Sequence, residues 1–308
     1  MKRSCTAFAP ATVANLGPGF DVLGLAVEGA GDTVTVTQAD DRRIQIRRIS
    51  GDDGRLPLNP QANTAAIAAR ATLKRAGVEM GLLIDIDKGL PIGSGLGSSA
   101  ASAAAAAVAT NGLIGSPLRP MELIEPCLEA EAVVSGRHAD NIAPALLGGL
   151  ILVRSLSPID VMRIPTDDSL HVAVVTPLIS VETKAARAVL PKQVDMTQAV
   201  QNSANLAAMV MALHTRDLSL LSRATVDIFS TPARSHLMPG ANAAVKHALD
   251  AGALGAAMSG AGPSFFALCS AAEVARRCMN AMGAAFQNAG CETRQLISPF
   301  NAPGARIL

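Results

Sequence analysis

The chain reads as an α+β protein in two domains. Its 308 residues suit two domains, or one large one, with a sizeable buried core. Short stretches with an apolar residue at every second position alternate with stretches of helical spacing in both halves, and no repeat of about 20–50 residues runs through them. Hydrophobic residues make up 49% and charged ones 17%, a balance for packed interiors rather than disorder. Aromatic residues are only 2%, with no Trp or Tyr, so Ala, Leu and Met must fill the core.

The same composition excludes several function classes. A formal net charge of +1 gives no general pull toward nucleic acid or an anionic membrane, and base stacking on aromatic rings is nearly unavailable. Five scattered cysteines with no Cys-x-x-Cys pair read as reduced core thiols and argue against a zinc site. Residues 1–5 begin with two basic side chains but lead into no long apolar run, and residues 100–109 are too short to cross a bilayer. These features predict a cytoplasmic protein that binds neither nucleic acid nor membrane.

Residues 6–25 hold Asn15 and Asp21 on either side of Gly17-Pro18-Gly19, a tight loop whose polar flanks either cap the turn or face a ligand. Residues 33–37 and 44–49 alternate as strands. Residues 63–76 have helical spacing and end at Gly77, a plausible C-cap, while Asn63 suits the N-cap. Residues 82–88 form another strand, which delivers the chain to a glycine-rich loop. The Ala-rich stretch 98–109 is a helix, 112–120 a loop, and 121–134 a helix bent or restarted at Pro126. The polar cluster 135–144 precedes a strand at 150–153, and residues 155–168, with Pro158 and Pro165, read as the crossing between domains. The domains accordingly divide as 1–155 and 156–308.

In the second half, residues 171–176 read as a strand and 199–213 as an amphipathic helix carrying Leu206, Val210 and Leu213 on one face. Residues 229–234 look irregular, and 241–251 helical up to Gly252. A glycine-rich segment, 255–264, leads into an apolar strand at 265–269. A helix at 273–288 and a strand at 292–297 follow.

The loop Pro91-Ile92-Gly93-Ser94-Gly95-Leu96-Gly97-Ser98-Ser99-Ala100-Ala101 carries the chemistry. Glycines at every second position open directly onto a helix N-terminus, where unpaired N–H groups and the helix dipole favour an anion, most often phosphate. The serines can cap the helix or offer hydroxyls to a phosphate or a hydrated metal. Taken alone, the loop equally suits a tight turn before a packing helix. It is neither a Walker A loop, since no Gly-Lys-Ser/Thr closes it, nor a Gly-x-Gly-x-x-Gly fingerprint.

That string resembles the second signature of the GHMP small-molecule kinases. Residues 9–24 resemble the first signature, in the form closest to the homoserine kinase branch, and Ser259-Gly260-Ala261-Gly262-Pro263-Ser264 resembles the third. The resemblance spans nearly the whole chain. It implies a GHMP kinase fold, with an N-terminal domain like ribosomal protein S5 domain 2 and a ferredoxin-like C-terminal domain. It implies ATP and Mg2+ as cofactors and L-homoserine as substrate, phosphorylated on the route to threonine. Oligomeric state stays open, a homodimer included.

Phosphoryl transfer needs a phosphate cradle, a metal ligand and a pocket that aims the acceptor hydroxyl. Residues 93–99 supply the cradle within a nucleotide-binding stretch of 91–101, and the resemblance adds Asn63 near the nucleotide. Ser98 or Ser99 offers a hydroxyl for magnesium, with Ser99 preferred. Among Glu125, Glu129 and Glu131, the family's acidic ligand, placed four residues before a Ser-Gly pair, selects Glu131, with Glu129 a possible substitute. His138, Asp140 and Asn141 form the most discriminating cluster. Asn141 stands where some relatives carry a proposed general base, and an amide cannot accept a proton. The hydroxyl is then aimed and polarised, or Asp140 serves as base. For the amino acid, the resemblance assigns Asn15, Asp21, His138, Thr183, Arg187, Arg234 and Gly260. Guanidinium forks suit a carboxylate, and Asp21 with Asn15 suits an ammonium. A kinase for an alcohol without an amino group, or a nucleotide-binding protein without turnover, are the competing readings.

Overall fold

The computed structural model describes residues 3–179, 186 and 188–308. Two sheets organise them. In the first, the main path runs β11–β1–β2–β4–β3, and β5 and β6 branch from β2. Strand β2 (Leu23–Gln38) is long enough to serve several partners. It pairs along β1 (Ser4–Ala14), its last residues pair with β4 (Leu82–Asp87), and its first three with β5 (Leu150–Leu156). Strand β3 (Ile44–Ser50) lies parallel to β4. β6 (Ile159–Ile164) lies antiparallel to β5, and β11 (Arg306–Ile307) covers the outer edge of β1.

Helix α2 (Ser98–Leu113) is the centre of this layer. Ala100, Ala101, Ala103 to Ala107 and Ala109 are all buried, so the helix is enclosed on every side, as one without a polar face must be. Short side chains let it approach β1, β2 and α1 (Thr64–Ala76) closely. Asn63 N-caps α1 by accepting from Ala65 N, and Gly77 ends it at φ 68°. A short 3-10 turn at Pro120–Leu123 leads into α3 (Ile124–Glu131), with Pro126 in its first turn, and α4 (Ile142–Leu147) follows the polar cluster.

The second sheet is antiparallel throughout, ordered β10–β7–β9–β8. Its strands are β7 (His171–Pro177), β8 (Gly255–Met258), β9 (Phe265–Cys269) and β10 (Thr293–Pro299). Strand alternation divides its faces. Ala173, Val175, Phe265 and Ala267 pack with α8 (Ala241–Asp250) and α9 (Ala272–Asn288), where Phe265 and Phe286 tilt together at 5.5 Å. Val172, Val174, Phe266 and Leu268 join the main core, along with Met209 of α5 (Met196–Thr215) and Leu221 of α6 (Leu218–Ala224).

Several elements depart from the expectations. β6 continues the first sheet past residue 155, where the chain was expected to divide, because Pro158 sits in the turn of a hairpin rather than in a linker. α2 runs through Gly112 to Leu113: a Cβ there would fall 2.6 Å from Ile307 Cδ1 and 2.8 Å from Cys5 Sγ, so the glycine admits β11 rather than ending the helix. Residues 229–234 include a short helix, α7 (Ser230–Arg234). All five cysteines are buried, in keeping with the expectation of core thiols. Among the described residues no helix is long and apolar enough to cross a membrane.

Candidate active site

One cavity of about 320 Å³ lies where the two halves meet, lined by the glycine loop, α1's N-terminus, the 131–141 segment, Asn15, Asp21, Arg234 and Gly260. Gly93, Gly95 and Gly97 take φ of 71°, 76° and 64°, so every second residue of the loop is left-handed. Gly97 N-caps α2 with no side chain, so no N-cap side chain bonds the first-turn N–H groups. Ser98 and Ser99 therefore lie inside the helix and do not cap it. The buried Ser94 hydroxyl has no hydrogen-bond partner among the described residues and belongs to the cavity wall. A phosphate oxygen suits both features.

The third glycine-rich segment packs against this loop through backbone. A Cβ on Gly95 would fall 2.7 Å from the carbonyl oxygens of Ser259 and Gly262. Ser259 Oγ donates to Gly95 O at 2.6 Å, and Ser264 Oγ donates to Ser94 O at 2.6 Å. Beneath the loop lies a group that the sequence did not reveal. Lys88 Nζ pairs with Asp32 and donates to Ser98 O and Ser102 Oγ, each at 2.9 Å. Asp32 accepts in turn from the N–H groups of Gly89 and Leu90, at 3.1 and 3.2 Å. Burial pushes the Lys88 ammonium down from its ordinary range, and the Asp32 carboxylate opposes it.

On the far side of the α2 N-terminus, Ser99 Oγ donates to Glu131 Oε1 at 3.0 Å, and Ser135 Oγ bonds the same oxygen. Glu131 is buried and lines the cavity, whereas Glu129 is exposed. Among the described residues no group of three His, Cys, Asp or Glu side chains could hold a metal ion. A cation here would depend on Glu131, Ser99, water and phosphate oxygens, a donor set that suits magnesium.

The remaining wall is polar and charged. Asn15, Leu16 and Asp21 adopt positive φ of 72°, 49° and 56°, which folds residues 15–21 tightly. Asn15 Oδ1 accepts from Asp21 N at 3.1 Å, and Asn15 Nδ2 donates to Gly260 O at 3.3 Å. Asp21 Oδ2 lies 3.2 Å from His138 Nδ1. Asp140 is buried, and burial pushes its carboxyl up to about 7, with Asp21 and Glu131 adding to the rise and His138 opposing it. Thr12 Oγ1 donates to Asn141 Oδ1 at 2.7 Å. Arg234, 2% exposed, donates to Ala186 O, Ser230 Oγ and Gly260 O.

The structure thus brings Asn15, Asp21, Asn63, Gly93, Ser94, Gly95, Gly97, Ser98, Ser99, Glu131, His138, Asp140, Asn141, Arg234 and Gly260 to one cavity, together with Ile92. Pro91, Leu96, Ala100 and Ala101 are not in its wall, and the last three are buried in the core. Thr183 and Arg187 lie outside the described residues. Asn63 faces inward while capping α1 and donating to Pro57 O at 3.1 Å. Sequence reasoning missed Thr12, Asp32, Lys88 and Ser135. Of these, only Lys88 carried a signal: a cation at the end of an apolar strand.

Residues 63–149 match the family model for the GHMP kinases N terminal domain, and residues 209–286 the one for GHMP kinases C terminal. The homoserine kinase of Arabidopsis thaliana is 47% identical across 99% of this chain and 85% of its own length. That of Chlorobaculum tepidum is 41% identical across 99% of this chain and 98% of its own. A crystal structure of homoserine kinase from Cytophaga hutchinsonii superposes with a TM-score of 0.97 at 43% identity, covering 100% of this chain and 98% of that one.

Proposed function

The chain belongs to the GHMP kinase family, and we propose that it is a homoserine kinase, which phosphorylates the side-chain hydroxyl of L-homoserine to O-phospho-L-homoserine. GHMP kinases take the phosphoryl group from ATP. One observation carries the substrate: a single cavity holds both the uncapped α2 N-terminus and the Asp21–His138 pair beside buried Arg234. The first suits a phosphate chain, the second an ammonium, the third a carboxylate.

In this reading residues 93–99 hold the triphosphate against first-turn N–H groups, and the Ser94 hydroxyl gains its partner there. Mg2+, held by Glu131 and Ser99, supplies charge neutralisation on the phosphates. Arg234, with Arg187, takes the substrate carboxylate. Asp21 takes the ammonium, held in place by Asn15 and His138. Asn141 aims the acceptor hydroxyl. Asp140, poised near pH 7 by burial, is the neighbouring carboxylate able to take the proton that the hydroxyl releases. The reading also carries a cytoplasmic enzyme whose product feeds threonine synthesis.

ADP release with a panel of homoserine, serine, threonine, mevalonate and galactose tests it. Homoserine should give the highest kcat/KM. If homoserine releases no more ADP than the blank, the reading fails.

A further inference from the structure

Asn141 immediately precedes α4, where an asparagine would ordinarily cap the helix through its side chain. This one makes no such cap bond. Its Oδ1 instead accepts the hydroxyl of Thr12, fully buried in β1 on the far side of the glycine loop in sequence. The same residue's N–H donates to Leu96 O at 3.1 Å. Thr12 therefore touches both the phosphate loop, through its backbone, and Asn141, through its side chain. The three are packed tightly: a Cβ on Gly97 would fall 2.1 Å from Thr12 Oγ1 and 2.8 Å from Asn141 Oδ1.

From this geometry we propose that Thr12 is a positioning residue for phosphoryl transfer: it selects the orientation in which Asn141 presents its NH2 group, not its carbonyl, to the acceptor hydroxyl. The inference rests on the role given to Asn141 above. A threonine hydroxyl has one hydrogen, and here it is committed to Asn141 Oδ1. The buried hydroxyl makes no other hydrogen bond among the described residues, so turning the amide over would leave its hydrogen without an acceptor; the amide keeps its oxygen on Thr12, and its NH2 group is the end left to donate. A donor aims at a lone pair of the substrate oxygen and cannot take its proton. Asn141 then fixes where the oxygen lies, and the proton leaves by another group. Without the Thr12 hydroxyl the amide loses the bond that holds its oxygen in place, and both its aim and the end it turns toward the nucleophile are released. The Thr12 N–H bond to Leu96 O adds a second constraint, since it fixes the height of the glycine loop relative to the same amide.

Thr12→Val keeps the β-branched shape and removes the hydroxyl, and Thr12→Ser restores it. Each is made in the parent and in Asn141→Ala. In the parent background Thr12→Val should lower kcat roughly tenfold, the rate equivalent of one neutral hydrogen bond, with KM for ATP and homoserine changed less than about twofold. Thr12→Ser should recover most of the loss. In the Asn141→Ala background Thr12→Val should change kcat by less than about twofold. An equal loss in both backgrounds overturns the proposal, as does a loss confined to KM. A second readout needs no turnover: the Asn141 side-chain amide 1H–15N pair, assigned by its disappearance in Asn141→Ala, should shift in Thr12→Val and return in Thr12→Ser. An unmoved pair overturns the proposal as well. If Asn141→Ala itself leaves kcat intact, the role of Asn141 fails, while the amide spectrum still decides whether Thr12 orients it. Should Thr12→Val not fold, Thr12→Ala is held to the same outcomes.

Discussion

Lys88 Nζ donates to the carbonyl of Ser98 at 2.9 Å, so a residue just before the glycine loop holds the residue just after it. Its other partners, Asp32 and Ser102, close the base of the loop. The lysine is not the phosphate ligand of a P-loop. Its charge is answered by Asp32 within the fold, and its bonds fix the span of the glycine loop. The α2 N-terminus and Arg234 add positive charge to the same cavity.

Removing this lysine should unfold more than it inactivates. Lys88→Met leaves Asp32 as a buried charge without its cation, which costs about 3–5 kcal/mol in comparable sites. Urea denaturation should show that loss, and adding Asp32→Leu should recover much of it. A Lys88→Met protein with parent stability would mean that Asp32 finds another partner.

Glu131 and Glu129 separate by a simple titration. Glu131 sits on Ser99 inside the cavity and Glu129 is exposed. Glu131→Gln should raise the Mg2+ concentration for half-maximal rate roughly tenfold, about the 1.4 kcal/mol of one charge contact. Glu129→Gln should leave it unchanged.

Asp140 ties activity and stability to pH in opposite senses. If it takes the hydroxyl proton it must be ionised, so kcat/KM should rise through about pH 7, and Asp140→Asn should abolish that limb. For stability, the carboxyl titrates near 3.8 unfolded and about 7 folded. Its contribution is full below pH 3.8 and is lost as pH rises toward 7, because the folded state must then ionise a buried group. Asp140→Asn should therefore stabilise the protein at pH 8 by a few kcal/mol, each pKa unit being ~1.4 kcal/mol, and by much less at pH 5. Thermal midpoints of both proteins across that range check the sign.

Gly95→Ala should distort the glycine loop, the proposed nucleotide cradle, from within. The new methyl would meet two backbone carbonyls at 2.7 Å, in a residue already at φ 76°. The loop must shift, at a cost of about 1–3 kcal/mol in stability. KM for ATP should rise with it, while a direct binding measurement with free homoserine stays close to the parent value.

The sequence by itself determined much of the local structure, because periodicity and caps are local signals. Helix α1, bounded by Asn63 and Gly77, was legible in that way, as were the glycine loop opening onto an alanine helix and strands β3, β4, β7 and β9. Three glycine-rich signatures in order also gave the kinase family. Strand β6 was not legible, since Pro158 reads the same in a hairpin turn as in a linker. Nor was the reason for Gly112, which depends on β11 arriving from nearly two hundred residues downstream. Tertiary structure alone decided which polar residues leave water. Arg234 has the composition of a surface residue and is buried on three oxygen partners. Thr12 looks like any threonine in a strand until Asn141 is folded onto it. Lys88 and Asp32 stand 56 positions apart, and only the sheet brings them under the loop. Desolvation and hydrogen-bond partnership belong to the arrangement of distant segments, and no property of one segment encodes them.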